Sequence, residues 1–119
     1  MRLARAAAIT GLSCACSWAW LVNDVRTIMS ERGLAAAERE VRAAQANHSP
    51  APEVAAAISW LARGALDSNQ LSKADAYASE SRTLALRTLG VRRLDADPWL
   101  PTAVGASIEV HGKVLAARG

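Results

Sequence analysis

Phenylalanine is absent from the sequence and tyrosine occurs once, at Tyr77. Strands draw on β-branched and aromatic side chains, so this shortage argues against an all-β fold. Cysteine is confined to Cys14 and Cys16, and two thiols cannot build a disulfide framework or a four-ligand zinc site. Histidine is confined to His48 and His111. Neither has a second ligand nearby in sequence, so a solvated or hydrogen-bonded imidazole is expected and no metal site. Phosphate-binding glycine loops and nucleophile elbows are also missing, which leaves no catalytic residue and no cofactor to assign. Basic residues never run longer than the pair Arg92-Arg93, and the net charge is +3, too weak a signal for a nucleic-acid surface. A non-enzymatic protein is therefore expected. What the sequence has in excess is alanine, 27 of 119 residues. Alanine is the best helix former. With 51% hydrophobic and 21% charged residues, the chain is expected to fold, as one domain.

Residues 1–5 carry Arg2 and Arg5, and residues 6–22 carry no charge. A basic start, an apolar run and the small residues Ser17 and Ala19 around Trp18 read as a secretory leader, residues 1–19, cleaved after Ala19. The expected location is periplasmic or extracellular, with residues 20–119 as the mature domain. Cleavage would remove both cysteines and leave a net charge of +1. The alternative is a membrane anchor over residues 6–22. That run of 17 residues is at the short limit for a span and contains Thr10, Gly11, Ser13 and Ser17. A lipidation site at Cys14 or Cys16 is disfavoured, because Gly11 and Ser13 stand where a leucine is needed.

The remainder reads as about five helices in antiparallel hairpins, an all-α fold. Asn23 or Asp24 is the expected cap of a first helix ending at Arg32, with Gly33 as its stop. A second covers Leu34 to Ala46, with Leu34, Ala37, Val41 and Ala44 on one face. A third is capped by Ser49, has Pro50 in its first position, and runs to about Ser68. Its apolar face is Val54, Ile58, Leu61, Ala62 and Ala65. Asn69 suits a left-handed turn before a fourth helix, Leu71 to Leu89, ended by Gly90. Leu71, Ala74, Ala78, Ser81, Ala85 and Thr88 form its contact face, flanked by Tyr77 and Leu84. Residues 90–101 form the one long connection. A fifth helix from Thr102 would pack through Val104, Ile108, His111 and Leu115.

The chain also repeats itself. Leu34-x-x-Ala37-Glu38 recurs 37 residues later as Leu71-x-x-Ala74-Asp75. Each lies just after a short turn, and the small residues Ala62, Ala65, Ala74 and Ala78 would let two backbones cross closely. The spacing resembles the tetratricopeptide repeat, a helix–turn–helix unit of about 34 residues. Leu61, Ala62 and Ala74 match its pattern. Ala65 stands in place of the usual tyrosine, Ala78 of the usual aromatic and Leu86 of the usual proline. The resemblance implies a right-handed stack of hairpins. The alternative is an α-bundle whose alanine motifs recur by chance. Arg118-Gly119 echoes Arg32-Gly33, so in the repeat reading the chain is cut between the helices of a third unit. The apolar face with Val104, Ile108 and Leu115 would then be partly open.

A second resemblance rests on longer runs. Ser59-Trp60-Leu61-Ala62-Arg63-Gly64-Ala65-Leu66, Ala74-Asp75-Ala76-Tyr77-Ala78, Leu94-Asp95-Ala96-Asp97 and residues 100–110 resemble the helical region preceding the thioredoxin-like domain of exported bacterial redoxins and thiol-disulfide reductases. The similarity covers about residues 24–119. No Cys-x-x-Cys is present, so no catalytic residue carries over. The resemblance implies binding of a protein segment or docking of an adjacent domain. The alternative it implies is the N-terminal fragment of such an oxidoreductase without its catalytic domain.

Five residues are candidates for partner binding. Glu53 and Arg63 fall on the groove that the first helices of the hairpins would line. Arg92 and Arg93 could form a charged patch with Asp95 and Asp97, although local ion pairing on a loop is the simpler expectation. Trp99, between Pro98 and Leu100-Pro101, is expected to fold back over a core edge, or else to anchor a partner. Trp60 and Tyr77 are expected to rim the third and fourth helices.

Overall fold

A computed structural model describes residues 14–91, 93–96 and 98–119, with side chains from residue 21 onward except that of Ala96. It contains five α-helices: α1 Cys14–Arg32, α2 Leu34–Ala46, α3 Ala51–Asp67, α4 Leu71–Val91 and α5 Leu100–Arg118. A short 3-10 turn, Leu94–Ala96, lies between α4 and α5. There is no strand among the described residues.

Local chemistry explains the joints. Gly33 alone links α1 to α2, with φ 94° and ψ 175°. Its N–H donates to the Met29 carbonyl and its own carbonyl accepts from Ala37. Positive φ is as expected of Gly33, but ψ is extended rather than left-handed helical, so the chain reverses in a single residue. The α2–α3 and α3–α4 turns share another design. His48 and Asn69 both adopt left-handed backbone, φ 60° and 58°. In each turn the next N–H reaches back to close the helix, from Ser49 to the Ala44 carbonyl and from Gln70 to the Ala65 carbonyl.

Four boundaries differ from expectation. Helix α1 does not begin at Asn23 or Asp24 but runs unbroken from Cys14, because Leu21 and Val22 have core to bury against. Pro50, not Ser49, is the cap of α3, and Pro52 fits its first turn, where no N–H is needed. Gly90 does not stop α4, which reaches Val91. Helix α5 starts two residues before Thr102, with Trp99 as cap and Pro101 in its first turn.

Helix α3 is the centre of the molecule and meets α1, α2, α4 and α5. The expected face of Val54, Ile58, Leu61, Ala62 and Ala65 is buried, and so are Ala55, Ala56, Ala57 and Ser59. A helix apolar all round belongs in a core. Its sequence signal is the absence of charge between Glu53 and Arg63. The α3–α4 crossing uses Ala74, Ala78, Ser81 and Ala85, each fully buried. The Ser81 hydroxyl donates to the Ala55 carbonyl across the helices at 2.7 Å, so the polar group is satisfied.

The contact face of α5 is turned from the one expected. Leu100, Ala103, Ser107, Val110 and Val114 are buried, whereas Ile108 and Leu115 are 53% and 50% exposed. The Ser107 hydroxyl donates to the Val104 carbonyl at 2.9 Å, which lets a polar residue sit in the core. His111 and Val104 lie at the border, half-buried.

Candidate functional site

The first helices of the hairpins, α1 and α3, hold a groove of about 380 Å³ between them, lined by Arg26, Met29, Leu34, Trp60, Gly64 and Asp67 among others. Trp60 is half-buried, with its body against the core. The Arg26 guanidinium stands 4.3 Å from the centre of its ring and the Arg63 guanidinium 5.1 Å. Both distances are those of cation–π contacts. Arg63 also donates to Glu109 of α5 at 3.1 Å, and Glu109 accepts a second cation, Lys113, at 3.2 Å. Arg63 hydrogen bonding, and then Lys113, hold the Glu109 carboxyl below the usual carboxylate range. The Arg63 Nε is buried with no hydrogen-bond partner among the described residues. One face thus carries Arg26, Trp60, Arg63, Glu109 and Lys113 across α1, α3 and α5.

The remaining expected residues scatter. Glu53 does not line the groove: it is 3% exposed, in the first turn of α3, and its carboxyl accepts from the Leu21 backbone. Burial pushes this carboxyl up to about 7, more than the Leu21 bond lowers it. Arg92 and Asp97 lie outside the described residues. Arg93 pairs with Asp95 at 3.1 Å in an exposed loop, a weak local contact. Trp99 folds back on a small cluster containing Val22, Ala55, Ala56, Ala85 and Ala103. The expected leader, residues 1–19, lies mostly outside the described residues. Among the described residues no helix is long and apolar enough to cross a membrane, and no metal-binding cluster occurs.

Tyr77 does not rim the hairpin. It is buried and its hydroxyl donates to Glu38 of α2 at 2.6 Å. Arg42 donates to Glu80 of α4 at 2.9 Å and to Glu38 at 3.3 Å. These four side chains fasten the α2 end of the first hairpin to α4. The Tyr77 bond, ahead of Arg42, holds the Glu38 carboxyl below its ordinary value despite opposing burial. The two recurring motifs are alike in burial. Ala37 and Ala74 are both fully buried, and the acid that follows each binds a cation: Glu38 takes Arg42 and Asp75 takes Arg118 of α5 at 3.0 Å.

Sequence reasoning placed Arg63 on the groove but passed over Arg26 and Glu109. Only the register of α1 and α5 against α3 brings these two to Trp60 and Arg63, and no local motif encodes that register. Compared with known protein families, characterised proteins and solved structures, the chain matches none.

Proposed function

We propose that the protein is an exported, non-catalytic helical module that binds a protein segment, or docks an adjacent domain, across the face of α1, α3 and α5. The observation that carries this reading is Trp60, a half-buried aromatic flanked by two guanidinium groups at the edge of a groove. Tryptophan and arginine are the residues that most often dominate binding energy at interfaces. A carboxylate on the partner would compete with Glu109 for Arg63, and its apolar neighbour would pack on Trp60. The contacts of α3 with both α1 and α5 support a tetratricopeptide-like right-handed stack, in which the first helices share one face. The basic start and uncharged run of residues 1–22 support export.

The test is selection of displayed random 12-residue peptides on the full chain, followed by binding of the enriched peptides to Trp60→Ala. Trp60→Ala also removes packing against the core, so circular dichroism first establishes that it is folded, and Arg26→Ala, at an exposed residue, is measured beside it. Loss of binding by tenfold or more, about 1.4 kcal/mol, is expected. Enriched peptides that bind the variant equally well, or no enrichment at all, would overturn the reading.

A further inference from the structure

Glu53 is a group that the docking face does not use. It is 97% buried by area, and among the described residues it forms no ion pair. A buried carboxylate without a cation is costly, and proteins ordinarily supply a partner. Its carboxyl accepts a hydrogen bond from the backbone N–H of Leu21. Leu21 lies in α1, two residues after Ala19, the expected cleavage position.

We infer that Glu53 is the binding site for the chain's own α-ammonium group, created at Trp20 when residues 1–19 are removed. This rests on the export reading given above. Helical geometry carries the argument. Within α1 the N–H groups of residues 20–23 face the carbonyls of residues 16–19. Cleavage after Ala19 takes those carbonyls away, and α1 acquires a new N-terminus with unpaired donors and a positive dipole end. The free amine at Trp20 adjoins the residue whose N–H already meets the Glu53 carboxyl. One carboxylate then serves as counter-ion for the ammonium and as acceptor for the first free N–H. Glu53 itself is 3% exposed, so water competes little for the pair. Hydrolysis of the Ala19–Trp20 peptide bond supplies the amine and consumes one water. No other bond changes.

The experiment expresses the full chain with an export-competent bacterial host and weighs the periplasmic product. Its melting temperature is compared with that of an Ala19→Leu chain, whose bulky side chain blocks cleavage, each with and without Glu53→Gln. A product beginning at Trp20 is expected, with Glu53→Gln lowering its melting temperature by about 5 °C and leaving the uncleaved chain unchanged or more stable. Equal shifts in the two backgrounds would overturn the inference while export stands. A product beginning at a residue other than Trp20 or Met1 would do the same. A product still beginning at Met1 would overturn the export reading and the inference together. Should Glu53→Gln fail to fold, acylation of the α-amine in the wild-type product decides. Modification at least tenfold slower than in an unfolded control is expected, and equal rates would overturn the site.

Discussion

Glu53 and Glu38 are both acids in first or second turns of helices, yet their surroundings push them in opposite directions. In the chain that retains residues 1–19, burial raises the Glu53 carboxyl to about 7 from an ordinary 4.5. A raised folded value means stability that is full below the unfolded value and lost as pH climbs through the folded one. The full chain should therefore gain stability as pH falls from 8 to 5, by at most about 3 kcal/mol. Glu38, lowered by Tyr77, acts with the opposite sign. Its contribution is present above the unfolded value and disappears below it, so stability should decline again under acid stronger than pH 4. Urea titrations at pH 8, 5 and 3 check the maximum, and Glu53→Gln should flatten the limb between 8 and 5. A steady fall in stability from pH 8 downward would contradict this account. None of it was legible in the sequence. Glu53 looked like a groove residue because it lies on the first helix of a hairpin, and only its burial and its bond from the Leu21 backbone reveal its position.

At the scale of elements, two glycines do different work. Gly33 has a backbone conformation open to glycine almost alone, and a Cβ built on it would meet nothing. Gly33→Ala should cost about 1–3 kcal/mol through backbone strain alone, measured as a lower denaturation midpoint with unchanged slope. Gly64 has no such strain. A Cβ there would run into the Met29 thioether, whose flexible end can move aside. An equal loss for both substitutions would sink the distinction. The helices themselves were largely readable, because Ala37, Val41, Ile58, Leu61, Ala74 and Ala78 recur at helical spacing and all are buried. The register of α5 was not. Ser107 reads as polar and Ile108 as core, but the Ser107 hydroxyl is satisfied by its own helix, so the smaller residue takes the crowded position. Gly90 likewise reads as a stop. A helix can pass through glycine when nothing calls for a left-handed turn, and Gly90 has no positive φ.

For the molecule as a whole, the sequence repeat corresponds to equal burial at Ala37 and Ala74 and to a cation on the acid after each. The face combining Arg26, Trp60, Arg63 and Glu109 emerges only when three helices are assembled, so no single segment could announce it. The packing of helices on those close to them in the chain has a further consequence, for time rather than strength. Contacts made between near neighbours cost little loop entropy, and a helical protein rich in them folds in microseconds to milliseconds. Refolding from urea followed by temperature jump or rapid mixing should have its main phase within about 10 milliseconds, whereas a main phase of seconds would mean that distant segments must find one another first. Such speed would shorten the interval in which the apolar α3 lies open to water.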